Sequence, residues 1–478
     1  MSADAVVVGA GVAGLRCALA LADAGLRVTV LEAAAFAGGR AASWSDDETG
    51  LQVDIGPHVV SSEHANFLAF LARLGTAGDM AWQRGPLVTL HDAKGTLRMP
   101  RPWLPTPLHG LPMLPRALTR LSVADGWSHR RIAWQAARST ETSLLELDTE
   151  DAHAWLQFMG VRPKAIEWFW RSTLLALLNV RLEQCSAASA LRVFRLMLGR
   201  SGWHFGSPGI PLAQLYAPGS CLAVMRSGGQ VMFGARARRV ITLQQRVTAV
   251  ETDDGQHIAT SRCVLALPPQ ETGMVAAASN EEALAPLVAA CRYFRPAPYV
   301  STYVWFDRPI TTERFWARVW SPQGLNTDFY NLSAIRPAME GQPTVIACNA
   351  IGPLARDWAQ DRIVEHTLNE IAEFAPSARQ ARVVHARVHR VPMAIPQPRP
   401  GTEGMRPPNA TAVDGLWIAG DWTRTALPCS MESAARSGAL AAEAVIAHAG
   451  RIALRIAIDA PDTRGLVGLF RHRPSAHG

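Results

Sequence analysis

Ala5-Val6-Val7-Val8-Gly9-Ala10-Gly11-Val12-Ala13-Gly14 decides the architecture. A short apolar run ends at glycine, and the residues from Val12 to Leu21 carry helical periodicity, so strand, tight turn and helix follow one another directly. Arg27 to Leu31 reads as a second strand, which makes the opening a βαβ unit. Within it Gly9, Gly11 and Gly14 have the spacing of a dinucleotide fingerprint. A side chain at the second glycine would hold a pyrophosphate away from the free N–H groups of the helix, where Val12 and Ala13 begin it. Glu32 ends the second strand 18 residues after Gly14, where its carboxylate can accept from ribose hydroxyls, with Ala33 beside it.

Working outward, the 478 residues exceed one compact core, and 48% apolar with 18% charged residues describes a globular chain. The start of the chain has no cationic leader. The charge-free stretch Gly202 to Met225 contains four glycines and three prolines, which excludes a spanning helix there. A cytoplasmic protein is expected. Seven scattered cysteines without a Cys-x-x-Cys or a histidine cluster predict reduced thiols and no metal. The net charge of +7 is local: the segment 98–138 sums to +6 and the residues after 450 to +3. Both interleave arginine with Trp, Leu and Phe (Trp103, Leu104, Leu108, Leu111, Leu114, Leu118, Trp127 and Trp134, then Leu466, Leu469 and Phe470), which suits an anionic membrane surface better than a nucleic-acid groove. Peripheral attachment to the inner face of the cell membrane through 98–138 is therefore expected, and no nucleic-acid partner. Arginines that merely line solvated helix faces are the plainer alternative.

Further along, Ala65 to Leu74 predicts an amphipathic helix, and helical stretches near 122–138, 150–158, 164–178 and 186–198 are separated by Pro-Gly loops. Strand-like patterning returns around 246–252, including Val247, and at 263–267. Residues 290–350 alternate as a second sheet would, a helix follows at 361–374, and 415–448 reads strand, turn, helix. The expected fold is α/β (α+β overall), with a Rossmann-like nucleotide domain and a mixed-sheet and helical substrate domain. The nucleotide domain takes 1–78, 225–270 and 400–450, the substrate and membrane-binding domain 79–224 and 271–399, and 451–478 is a basic tail.

Gly38-Gly39-Arg40 resembles the loop that flavoproteins of the amine oxidase and phytoene desaturase superfamily place beside the pyrophosphate, and Gly415 to Asp421 resembles their closing motif. The resemblance implies FAD, a glutathione-reductase-type nucleotide domain, and Asp421 on the ribityl chain. The helix after Ser430 would turn its N-terminus toward the flavin ring. The run Gly420-Asp421-Trp422-Thr423-Arg424-Thr425-Ala426-Leu427-Pro428-Cys429-Ser430-Met431-Glu432 is similar to the hydroxysqualene dehydroxylases, as are Asp54 to His58, Leu104 to His109 and Leu174 to Asn179. Ala426 and Ser433 replace glycines of that family, and Ile55-Gly56-Pro57-His58 departs from its usual Asn-Gly-Gln-His.

That resemblance implies reductive removal of an allylic hydroxyl from a long isoprenoid, hydroxysqualene to squalene, with Gly56, Pro57, His58, Ser430 and Met431 at the flavin and Val247 among the cofactor contacts. His58 is the candidate acid or hydroxyl-orienting group, and Asp54 and Cys429 are further catalytic candidates. Trp168, Trp170 and Trp305 are candidates to line an apolar channel. Two other readings stand beside it: a carotenoid-type desaturase, to which Ser430-Met431-Glu432 is also similar, and a non-catalytic lipid-binding module on a flavoprotein fold. A true amine oxidase is not expected, because neither Lys94 nor Lys164 falls where that group commonly keeps a flavin-facing lysine. No second glycine fingerprint marks a nicotinamide donor, so the electron donor stays unassigned.

Overall fold

The computed structural model describes residues 3–340, 342–351 and 357–462. The fingerprint region folds as its pattern predicts: strand Ala5–Val8, helix Val12–Asp23, strand Val28–Glu32. These strands lie in a five-stranded parallel sheet ordered Gln230–Phe233, Val28–Glu32, Ala5–Val8, Cys263–Leu265, Leu416–Ile418. Every strand of this sheet has apolar residues on both faces, as a sheet covered on both sides requires. One face packs on the helices Val12–Asp23 and Met431–His448, and the other on a core containing Val6, Val8, Leu265 and Ile418.

A seven-stranded mixed sheet forms the second unit, in the order Val383–Pro396, Pro296–Phe306, Val345–Ile351, Asn326–Asn331, Phe315–Arg318, Val88–Asp92, Gly95–Met99. Alternation sorts its residues. Val304, Phe306, Trp316, Phe329 and Ile346 pack with the helix Gln360–Phe374, while Tyr303, Phe315, Tyr330 and Ala347 face the other way. Three helices, Arg130–Arg138, Ala152–Phe158 and Ala187–Leu198, enclose a separate core around Trp155, Trp170 and Leu174.

The domain limits differ from the expected ones at three places. The helix Ala217–Arg226 buries Cys221 and Val224 against the fingerprint helix, and Leu212, Leu215 and Tyr216 join the same core, so the nucleotide domain resumes before residue 225. The helices Pro269–Ala278 and Ala285–Tyr293 bury Val275, Leu287 and Cys291 against Val6, Val8 and Leu31, so it also continues past 270. Residues 451–462 are no free tail: Arg451 donates to the carbonyls of Ala24 and Gly25, and the backbone N–H of Ile458 donates to Asn66 Oδ1. Leu466, Leu469 and Phe470 lie outside the described residues. No helix among the described residues is long and apolar enough to cross a membrane.

Candidate active site

A single cavity of about 1300 Å³ runs from the glycine fingerprint to the base of the basic, aromatic segment. At its first end Gly9 takes φ +102°, and a Cβ there would fall 2.5 Å from the Ala266 carbonyl oxygen, so only glycine closes this turn. Gly11 caps the helix with extended backbone and offers no side-chain cap, which leaves the first N–H groups of the helix directed to the cavity. A Cβ on Gly11 would meet nothing nearer than Gly39 Cα at 4.0 Å and would stand in the cavity itself. Gly14 has another task. A Cβ there would lie 1.8 Å from the Gly9 carbonyl oxygen, so it sets the close contact of helix and strand. Glu32 accepts the N–H of Ala10 (2.7 Å) and of Ala34 (2.9 Å), which keeps lone pairs free for ribose hydroxyls.

Distant pieces of the chain meet here. Arg40 donates to both carboxylate oxygens of Asp421 (2.7 and 3.3 Å) and to the Ala394 carbonyl (3.1 Å). The loop after the second strand and the closing motif are thus one structure, with Asp421 engaged by a guanidinium on the cavity wall. Ser430 caps the helix Met431–His448 by accepting from Ser433 N (3.2 Å), and Cys429, Ser430 and Met431 line the cavity. A cradle that one Cβ would fill, a free helix N-terminus and a ribose acid fit FAD. When bound, FAD supplies or accepts hydride.

The sequence-predicted residues part company at the catalytic end. Gly39, Arg40, Pro57 and His58 line the cavity, whereas Gly56 supports it: a Cβ on Gly56 would fall 2.2 Å from the Tyr299 hydroxyl. Val247 is not a cofactor contact. It lies buried in the strand Arg246–Thr252 beneath Gly415, and Ala235 to Arg238 line the adenine end in its place. Asp54 is not catalytic either, because Oδ1 accepts from Ser43 Oγ (2.6 Å) and Leu212 N (2.9 Å) while Oδ2 is paired with Arg336. It joins the two domains. Burial pushes the Cys429 thiol up to about 12, so this sulfur is neutral at physiological pH and serves as wall. Of the three tryptophans only Trp168 lines the cavity, since Trp170 is in the helical core and Trp305 is packed in the core with Tyr303, Phe315 and Tyr330.

His58 is at the cavity, but not as an acid. Its Nδ1 donates to the Gly56 carbonyl (2.7 Å), which fixes the tautomer and leaves Nε2 as an acceptor. Burial outweighs that bond and the nearby carboxylates and lowers its pKa, so the ring is neutral. Two residues unmarked in the sequence face it. Asp328 and Asn349 are cross-strand partners, with Asn349 Nδ2 donating to Asp328 Oδ2 (3.1 Å) and to the Pro57 carbonyl (3.2 Å). Burial raises the Asp328 pKa despite donors from Thr327, Tyr330 and Asn349.

A third residue absent from the sequence expectations is Arg406, only 2% exposed. It donates to the carbonyls of Asp421, Thr423 and Leu427, and it shares Glu403 with Arg192. Burial pushes Glu403 upward, but the two guanidinium groups outweigh it and hold the carboxyl at about 2. Glu432 is likewise structural. Its oxygens accept the N–H groups of Asn66 (3.0 Å) and Phe67 (2.8 Å), capping the helix Ala65–Leu74.

The model of the flavin containing amine oxidoreductases matches residues 12–446. The chain belongs to this family. Among its relatives, the 15-cis-phytoene desaturase of Synechococcus elongatus is 24% identical over 465 residues, which cover 92% of this chain and 95% of that protein. The hydroxysqualene dehydroxylase of Zymomonas mobilis is 23% identical over 459 residues, covering 92% and 99%. The cyclohexylamine oxidase of Brevibacterium oxydans superimposes with a TM-score of 0.66 at 17% identity, covering 94% and 100%. This flavin amine oxidoreductase is therefore an FAD-dependent oxidoreductase with the fold expected from its fingerprint.

Proposed function

We propose that this flavin amine oxidoreductase acts on a long apolar isoprenoid taken from a membrane, and that its reaction is the reductive dehydroxylation of an allylic alcohol such as hydroxysqualene. The cavity carries the reading. Beyond the flavin cradle its walls are largely apolar, with Met99, Met113, Phe169, Phe194 and Met197, while Arg200 and Arg318 on the same lining are paired with Glu63 and Glu373; it reaches the segment whose outer face exposes Trp103, Leu111, Leu114 and Trp127. An apolar chain can lie along the apolar part of these walls, where it displaces water from no polar group. In the dehydroxylation the allylic C–O bond breaks, the hydroxyl leaves as water with one added proton, and the carbon takes up a hydride, which FAD held by the helix N-terminus at Gly11 and the Arg40–Asp421 pair would supply in its reduced form.

Desaturation is the second reading. It is favoured by the neutral His58, whose bare Nε2 can take the proton that a desaturation releases, and the phytoene desaturase relatives accord with it. Anaerobic single turnover separates the two. Prereduced enzyme should convert hydroxysqualene to squalene with reoxidation of its flavin. Turnover of phytoene by the oxidised enzyme alone would reverse the assignment.

The membrane part of the proposal rests on the exposed apolar residues and their arginines. Arg130 stacks on Trp127, Arg131 on Phe158 and Arg138 on Trp134. Arg116, Arg130 and Arg131 are exposed, whereas Arg120 is paired with Asp92 (2.6 Å) and serves the fold. Each basic residue near an anionic surface contributes about 1 kcal/mol. Changing Arg116, Arg130 and Arg131 to glutamate should therefore weaken sedimentation with anionic liposomes by about a hundredfold or more. Undiminished sedimentation would remove the membrane from the proposal, and with it the expected location at the inner face of the cell membrane.

A further inference from the structure

Four residues of one cross-strand row of the seven-stranded sheet, Asn349, Asp328, Ala317 and Leu90, line the cavity. Ser301 pairs with Asn349, Asn349 with Asp328, Asp328 with Ala317, and Ala317 with Leu90, so these residues share one face of the sheet. The row is polar at one end and apolar at the other. Asn349 and Asp328 lie beside Pro57 and His58, whereas Ala317 and Leu90 continue toward the apolar walls.

The polar end has hydrogen-bonding capacity left over. Asn349 spends both amide hydrogens on acceptors, the Pro57 carbonyl and Asp328, which fixes its orientation. Its Oδ1 is buried and has no partner among the described residues. The neighbouring Ser301 Oγ is buried without a partner as well. His58 directs Nδ1 to Gly56, so its Nε2 is also an acceptor, and no described residue donates to it. The Tyr299 hydroxyl borders the same cavity against Gly56. Buried polar atoms in an apolar chamber cost free energy unless something bonds them. A pure hydrocarbon would leave His58 Nε2 and Asn349 Oδ1 bare.

We propose that His58 Nε2 and Asn349 Oδ1, with Asp328 holding Asn349 in place, form a docking site for a hydroxyl group, so that the substrate of this chain is an alcohol and not a hydrocarbon. The inference rests on the isoprenoid reading of the cavity and adds to it the atoms that select the substrate. His58 Nε2 and Asn349 Oδ1 share the single hydroxyl proton in a bifurcated bond, and the Tyr299 hydroxyl can donate to the oxygen. Asp328 is a positioning residue. It acts through Asn349, whose amide it orients. A hydroxyl held at this end places the carbon that bears it beside the loop that adjoins the flavin cradle, with the hydrocarbon tail on the Ala317 and Leu90 side.

The test is equilibrium binding to the oxidised, FAD-loaded enzyme, read from the flavin visible spectrum and tryptophan fluorescence, with hydroxysqualene and squalene as paired probes. The wild type should bind the alcohol at least about tenfold more tightly, since a site built to bond a hydroxyl rejects the analogue that lacks it. Asn349→Leu and His58→Phe should erase that preference by weakening the alcohol alone, with flavin content and squalene affinity unchanged. His58→Gln, which keeps an acceptor, should recover part of it. Asp328→Leu should lower the preference with no change in bound flavin.

Equal affinity for the two probes in the wild type would overturn the docking site and leave the isoprenoid reading in place. Failure to bind either probe would overturn both. Variants that fold with the wild-type Tm yet lose FAD would assign these atoms to the cofactor and so overturn the proposal.

Discussion

Arg406→Met will yield a protein that loses its FAD on gel filtration and melts well below the wild type. The guanidinium sits at the centre of the turn between the strand Leu416–Ile418 and the helix Met431–His448. It bonds the carbonyls of Asp421 (2.7 Å), Thr423 (2.9 Å) and Leu427 (2.6 Å) together with Glu403 (3.1 Å). Methionine matches much of the volume and none of the donors. Three backbone carbonyls and half of a carboxylate's pairing would be stranded in the interior, and breaking a buried pair from one side costs about 3–5 kcal/mol. The damage reaches the cofactor because Asp421, which pairs with Arg40 on the cavity wall, is held by its own carbonyl in this cluster. Arg406→Lys should rescue little, since an ammonium lacks the planar fork that serves several acceptors at once. The ratio of absorbance at the flavin band to that at 280 nm, with the Tm, reads the result, and a yellow, stable Arg406→Met protein would show that the turn holds itself.

Gly11→Leu should give the opposite combination, a folded but colourless protein. Gly11 has φ −83° and ψ −175°, which any residue adopts, and a Cβ there meets only Gly39 Cα, at an unstrained 4.0 Å, so folding has no reason to suffer. The side chain would instead occupy the space between the helix N-terminus and Gly39, where a pyrophosphate needs the N–H groups. Hydrogen bonds to a charged group contribute about 1.5–3 kcal/mol each, so losing two weakens FAD a hundredfold to ten-thousandfold, in round figures. Gly14→Val is the contrasting control. Its Cβ would be driven into the Gly9 carbonyl, so the chain should fail to accumulate as soluble protein. Flavin titration and circular dichroism tell these outcomes apart, and strong FAD binding by the Gly11 variant would refute the cradle.

What could be read from the sequence was what is local. The fingerprint, Glu32 and the helix Ala65–Leu74 all follow from spacing within a few turns, because strand, turn and helix periodicities need no distant partner. Asp328 and Asn349 left no such trace. Each is a polar residue in a strand, which alternation assigns to solvent, and only the pairing of Asn326–Asn331 with Val345–Ile351 turns both inward together. Asp54 was misread for a related reason: it stands four residues before His58, yet its charge is answered by Arg336 from the other domain. The same applies to Arg406, which sits in a loop without a motif and has meaning only through carbonyls that follow it.

The order of the parallel sheet has a consequence for how the protein is made. Its central strand, Ala5–Val8, lies between one drawn from early in the chain and one drawn from its middle, and Leu416–Ile418 completes the far edge. The residue that answers Arg40, Asp421, is synthesised next to last among the pieces of the cradle. A nascent chain therefore leaves the ribosome with its dinucleotide turn formed early and its flavin pocket open until Asp421, 381 residues after Arg40, has emerged. Such long-range closure is slow compared with local folding. Cofactor capture is thus a late event in the life of each molecule, and the supply of free FAD at that moment decides how much of the newly made chain reaches the active form.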